Sequence, residues 1–301
     1  MSASRQAALA SAGLVLTAAL WGSMIPTIKI MLAVWDAYSV SALRFVIAAV
    51  ILWGALLYVE KGKPLALDAR HWKLGSMIAV FATFYTLGIA YSDLVTAALL
   101  SALGPFVTTL LAWTIYREAP PKGFLVAIPF AVAGGVLASQ GEGIGGGFGF
   151  RGGEIFLIIC QMGWSTYTLT SQRWLKGVSQ LRLTATTMIV AALLLTLFAA
   201  LAMIAGVVPP LRLDPDPDAL IALLWIGIFA TTVGVYFWNR GVRALGAPMT
   251  SLYLNLIPVF AIAFGLMLDE KPTGLQMLGG VMVIGAVLQM QVRRLREHQG
   301  S

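Results

Sequence analysis

Apolar residues in this chain come in long unbroken runs divided by short polar breaks, without the alternation of a half-buried strand. About 20 apolar residues in helical conformation cross roughly 30 Å of hydrocarbon, so each run predicts a membrane-spanning helix. Ten runs predict ten helices: Leu9 to Met31, Ala37 to Val59, Leu74 to Tyr91, Leu94 to Ile115, Phe124 to Ser139, Ile155 to Leu175, Leu183 to Val208, Leu220 to Asn239, Pro248 to Leu268 and Leu275 to Gln291. Two of them are interrupted at the middle, by Gly104-Pro105 in the fourth and by Pro258 in the ninth. Proline lacks a backbone N–H and crowds the preceding turn; in lipid it is tolerated where a neighbouring helix or a water-filled cavity satisfies the freed carbonyl. Matched breaks of this kind point to a binding region near the bilayer midplane, with Gly104, Pro105 and Pro258 as its flexing points.

Composition agrees with the pattern. The 301 residues are 59% hydrophobic and 11% charged, against about 25% charged in an average soluble domain. Arg5 ahead of an apolar run resembles a signal peptide, but the run is too long and nine more follow, so the first helix reads as uncleaved. The net charge of +7 would suggest nucleic acid until the cations are placed. With both termini in the cytoplasm, fifteen of the 20 Lys and Arg fall on the cytoplasmic side. The opposite face holds Arg151, Arg212 and Lys271 together with Asp36, Asp93, Asp214, Asp216 and Asp218. That bias is the positive-inside rule, so the charge reports topology in the cell inner (cytoplasmic) membrane and not a nucleic-acid partner.

The chain also repeats itself. Val40-Ser-Ala-Leu-Arg44 is echoed by Val178-Ser-Gln-Leu-Arg182, Phe81-Ala-Thr by Phe229-Ala-Thr, Pro105 by Pro258 and Gly134 by Gly285, at offsets between 138 and 153 residues. Two repeats of five spans follow, residues 1–140 and 154–301, joined by a Gly-rich linker at 141–153. An odd number of spans inverts the second repeat relative to the first. The predicted fold is an all-α membrane protein of ten transmembrane helices in two inverted five-helix repeats.

Leu20-Trp21-Gly-Ser-Met-Ile-Pro-Thr-Ile-Lys29, Ala-Leu-Gly-Ala-Pro-Met-Thr-Ser at 244–251, the two Pro-to-Glu segments and the last span resemble the drug/metabolite transporter superfamily, EamA type. Leu20-Trp21, Trp164-Ser-Thr-Tyr167 and Trp238-Asn239-Arg-Gly241 look most like the aromatic amino-acid exporters within it. The resemblance implies a ten-helix basket around a central cavity lined by the first, third, fourth, sixth, eighth and ninth helices. It also implies export of amino acids or related metabolites.

Catalysis finds few residues to use. His71 and His298 fall in a loop and the tail, Cys160 is the single cysteine, and no span has a carboxylate near its centre. Neither an enzyme nor a metal or other cofactor is expected. The polar residues inside the spans are the candidate site. Trp164, Tyr167, Thr168 and Ser171 share one face of the sixth helix, as a cavity wall or as hydrogen-bonding glue between helices. Ser101 lies on the small-residue face of the fourth helix, Asn255 beside Pro258 in the ninth, and Tyr236 and Asn239 on a stripe of the eighth. Trp21 and Tyr85 fit a cavity wall or a packed core equally; Trp238 is expected at the membrane interface.

Apart from Arg173 at the cytoplasmic end of the sixth run, Lys29 and Arg44 are the only cations within predicted spans, either contacting substrate charge or snorkelling from the outer ends. For Arg44 the repeat mate Arg182, at an interface, favours anchoring. Glu118 and Glu270 precede prolines and would complement helix N-termini. Glycines of the fifth and tenth helices suggest close packing, leaving a monomer or a homodimer through these helices. With all 13 acids in loops, helix ends or tails, substrate movement as uniport or exchange is expected, without an essential carboxylate. A broader metabolite or drug exporter, or a non-transporting membrane structural protein, are the alternatives.

Overall fold

The computed structural model describes residues 3–61, 66–120, 124–138, 152–212, 216–267 and 272–299, and among them every regular element is helical. Side-chain caps set the helix starts. After α1 (Ala3–Leu32), Asp36 accepts from the N–H groups of Tyr38 (2.8 Å) and Ser39 (3.1 Å) and opens α2 (Ala37–Glu60). Asp68 accepts from Arg70 and His71 and opens α3 (Ala69–Ala90), ahead of the Leu74 start that hydropathy predicts. Slight desolvation of the Asp68 carboxyl is outweighed by its hydrogen bonds from His71 and Arg70, which hold it below its ordinary value. Asp93 opens α4 (Leu94–Ser101) through Thr96, and Ser179 opens α8 (Gln180–Ile204) through Arg182. Each cap satisfies an N–H that a first turn leaves without a helical partner.

Both predicted breaks are present. At the end of α4 the N–H groups of Ala102 and Leu103 bond to the carbonyls of Leu99 and Leu100, tightening the turn, and α5 (Gly104–Tyr116) restarts with Pro105 in its first turn. Pro105 has no N–H to offer the Ser101 carbonyl four residues back. Gln161 of α7 (Gly153–Trp174) supplies one instead, Nε2 to O at 3.1 Å. At the second break α11 (Ala247–Ser251) passes through a 3-10 segment, Leu252–Leu256, into α12 (Ile257–Leu266). There Pro258 stands in the first turn and the Ile257 N–H takes up the Leu254 carbonyl.

Among the described residues six stretches are long and apolar enough to cross a membrane: Ala8–Leu32, Ala37–Glu60, Ala69–Ala90, Leu94–Tyr116, Gln180–Ile204 and Pro217–Leu245. Shorter apolar helices run over Phe124–Gly134, Tyr253–Leu266 and Gly274–Ala286. The last of the six contains α9 (Pro217–Trp225), a π-helical segment, Ile226–Gly234, and α10 (Val235–Leu245). It runs past the predicted end at Asn239. Helix α7 is long but more polar, and its Gln161, Ser165, Tyr167, Thr168, Thr170 and Ser171 are all buried. Large apolar side chains such as Val50, Leu125, Phe130, Leu197 and Ile221 are exposed instead, as a hydrocarbon solvent permits. The molecule is a multi-pass membrane protein.

Helix α2 lies on α8, α3 on α7, α6 (Phe124–Ala138) on α13 (Gly274–Gln299), and α1 on α10 and α12. A Cβ on Gly134 would stand 2.8 Å from the Gly279 carbonyl, so this glycine serves close packing of α6 on α13 within the chain. Glu118 pairs with Arg173 at the end of α7. Glu270 and linker residues 141–151 lie outside the described residues.

Candidate functional site

Three tryptophans from distant parts of the chain meet at the contact of α1, α7 and α10. Trp21 lies edge-on to Trp164 at 5.2 Å between ring centroids, Trp238 is 5.2 Å from Trp21, and Trp164 and Trp238 are 5.7 Å apart. Phe81 extends the cluster 4.9 Å from Trp164 and stacks on Tyr85 at 5.4 Å; Tyr167 closes it 5.5 Å from Trp164. All three tryptophans are buried. Trp21 donates its indole N–H to the Ala230 carbonyl in the π-helical segment (3.0 Å), and Trp238 donates to Thr168 Oγ1 (3.3 Å). The indole N–H of Trp164 is buried without a partner. The rings pack edge to face and tilted against one another, and one indole donor, that of Trp164, is left unused.

The expected site residues divide into groups. Trp21, Tyr85, Trp164, Tyr167 and Thr168 come together in or against the cluster. Trp238 joins them, which corrects its assignment to the membrane interface. Asn239 is 1% exposed and ties three helices: Nδ2 donates to the Tyr167 hydroxyl and to Thr184 Oγ1, each at 2.9 Å, joining α10 to α7 and α8. It is a structural knot. Tyr236 stands two residues from Trp238, hence on another side of its helix. Its ring neighbours are Phe237 and the Arg240 guanidinium. Ser101 donates to the Ala97 carbonyl (2.8 Å), and its own carbonyl is held by Gln161. Asn255 is buried, with neither amide atom partnered.

The two cations part company. Lys29 is half-buried and borders a cavity of about 510 Å³ that Asp36, Tyr38, Leu87 and Tyr91 also line. Arg44 is 1% exposed, which overturns the expectation that it snorkels to the outer end. Its position lies about 10 Å along α2 at 1.5 Å per residue, and its side chain turns into the bundle. Nη1 donates to Met24 Sδ (3.2 Å) and Nη2 to the Ala82 carbonyl (3.4 Å), while Nε has no partner. Its repeat mate Arg182 has the Glu60 carboxylate, Nε to Oε2 at 2.6 Å. At the same 138-residue offset from Glu60 stands Phe198, and no carboxylate reaches Arg44 among the described residues.

A second cavity of about 420 Å³ lies between α5, α7 and α10, lined by Thr108, Thr168, Gln172, Arg173 and Arg243 among others. Helices α3 and α7 run antiparallel, since Gly153 sits against Gly88 and Ser92 while Arg70 bonds to the Trp174 carbonyl (3.1 Å). The two cavities therefore open at opposite ends of the bundle, and Thr168 lies where the second one meets the tryptophans. Gln161 and Phe81 are the residues that sequence reasoning passed over. Gln161 stands three residues before Trp164 and seven before Thr168, on the stripe already singled out.

A helical membrane bundle with a cavity at each end and buried aromatic rings between them has the build of a transporter. The chain belongs to the EamA-like transporter family, whose model matches residues 9–140 and 151–290. It is 28% identical over 261 residues to the uncharacterized transporter YyaM of Bacillus subtilis (strain 168), covering 83% of each chain. An uncharacterized transporter of Archaeoglobus fulgidus is 24% identical over 283 residues, 91% of this chain and 94% of its own. A solved crystal structure is similar with a TM-score of 0.69 at 20% identity, covering 95% of this chain and 99% of that one. At that identity the likeness speaks for the fold alone.

Proposed function

We propose that this protein is a secondary transporter of the cytoplasmic membrane that exports amino acids, aromatic and other apolar ones included, by alternating access. The observation that carries the reading is the buried Trp21–Trp164–Trp238 triangle, set between cavities that open at opposite ends. Gly104, Pro105 and Pro258 are the hinges on either side. Ten spans in two inverted repeats, with both termini cytoplasmic, complete the proposal. Its support is that the packing pattern maps onto itself when the halves are exchanged. The α3–α7 contact has its counterpart in α1 against α9–α10, and α5–α7 in α12–α1, while α2–α8 and α6–α13 map onto themselves. Substrate moves by uniport or exchange, since the described carboxylates stand at helix ends or between helices.

Counterflow in proteoliposomes tests this. Labelled phenylalanine outside should accumulate transiently when phenylalanine or leucine is loaded inside and should not with glutamate. Preferential movement of apolar drug cations would favour the broader exporter, and absence of any flux from folded protein would contradict transport.

A further inference from the structure

We propose that the Arg44 guanidinium holds the carboxylate of the transported substrate, so that this protein takes apolar carboxylic acids whose apolar end rests on the tryptophan triangle. This deepens the transport reading and rests on it. Arginine carries five N–H donors and stays charged in any protein environment. Here it is 1% exposed, and it donates only to a thioether and, at 3.4 Å, to a backbone carbonyl. Those acceptors carry no charge, and Nε has none at all. Isolating a cation in this way is unfavourable unless an anion enters, and a cation kept inside a membrane bundle marks a ligand path.

The surroundings add direction. The guanidinium lies 5.0 Å from the Phe45 ring centroid and 6.0 Å from that of Tyr85. Tyr85 stacks on Phe81, and Phe81 touches Trp164, whose indole N–H is unpartnered. A single positive charge thus leads through contiguous rings to the triangle, the order of parts in an aromatic amino acid. Buried Met24, Ala82, Phe45 and Cys160 offer no second charge. One buried cation suits a monovalent carboxylate better than a divalent phosphate, whose second charge would remain uncompensated.

The test uses full-length protein in detergent, titrated by tryptophan fluorescence with phenylalanine, phenylalaninamide, 3-phenylpropionate and phenyl phosphate. Wild type should prefer phenylalanine to its amide by roughly tenfold or more, as expected where a buried donor would be left unpaired. Arg44→Gln should bring that ratio near one, and Arg44→Lys should restore part of it. Equal binding of acid and amide by wild type, tighter binding of phenyl phosphate, or an unchanged ratio in Arg44→Gln would overturn the assignment. Where Arg44→Gln does not fold, the wild-type ratio and Arg44→Lys decide. Binding of 3-phenylpropionate that depends on Arg44, with phenylalanine neither binding nor moving, would keep this inference and refute amino-acid export.

Discussion

Removing the Gln161 amide probes the helix break at its weakest point. Gln161→Leu keeps the volume but withdraws the donor from the Ser101 carbonyl, which Pro105 leaves without its helical N–H. A buried carbonyl deprived of its partner costs about 1–3 kcal/mol, and interhelical bonds in membranes average about 0.6 kcal/mol. The expected loss is therefore about 1–2 kcal/mol. Pro105→Ala returns an N–H that can reach Ser101, so in that background the same Gln161→Leu change should cost less than about 0.5 kcal/mol. The difference, about 1 kcal/mol of coupling, exceeds the ~0.3–0.5 kcal/mol within which independent sites add. Reversible unfolding in mixed micelles, followed by helical circular dichroism, measures all four variants. Pro105→Ala should also slow counterflow by stiffening the break. An equal cost of Gln161→Leu in both backgrounds would refute the assignment of the glutamine to the proline's missing bond.

Trp164→Ala should weaken binding of phenylalanine and tryptophan by more than roughly tenfold and leucine by less, because aromatic partners lose ring contact as well as area; equal losses that track protein yield would mean packing alone. Asn239→Leu should lower stability by about 1–3 kcal/mol by leaving Tyr167 and Thr184 without their shared partner, with substrate affinity in the folded fraction unchanged by titration. Glu154, at the start of α7 with Oε2 unpartnered, is the buried carboxylate among the described residues. Uniport or exchange requires that Glu154→Gln support counterflow at the wild-type rate, with or without an imposed pH gradient. The Asp68 carboxyl is held below its unfolded value, so its cap contributes stability above that value and loses it as pH falls through the folded one. Hydrogen exchange at the start of α3 should accelerate over that acidic window and not in Asp68→Asn.

Features with local causes were readable from the chain. Apolar runs long enough to span a bilayer became helices, and Pro105 and Pro258 stand at helix breaks, whereas Pro26 and Pro129 lie inside unbroken helices. The stripe of Trp164, Tyr167 and Thr168 came out buried because polar residues at helical spacing in lipid must turn inward. What failed depended on lengths and partners that spacing does not encode. An apolar run ending at Asn239 predicts Trp238 near an interface, but the helix continues to Leu245, which leaves the indole more than a turn deeper. Symmetry with Arg182 predicts an anchored Arg44, but Glu60 has no acidic counterpart in the other repeat, where Phe198 stands in its place. Asn239 and Tyr167 both carried polar groups on inward stripes, and only the three-dimensional pairing reveals that they satisfy each other.

Alternating access to one central site is tested most directly by asking whether the two cavities open in turn. Cys160 is the single cysteine and is 0% exposed, so Ala247→Cys in one cavity and Leu87→Cys in the other can be alkylated as unique accessible thiols. With both in one molecule reconstituted in liposomes, brief labelling followed by mass spectrometry counts the molecules modified at either position or at both. The account predicts that the two positions react at different rates and that phenylalanine raises one rate while lowering the other. Both thiols reacting together in the same molecules, at rates that phenylalanine does not change, would contradict it.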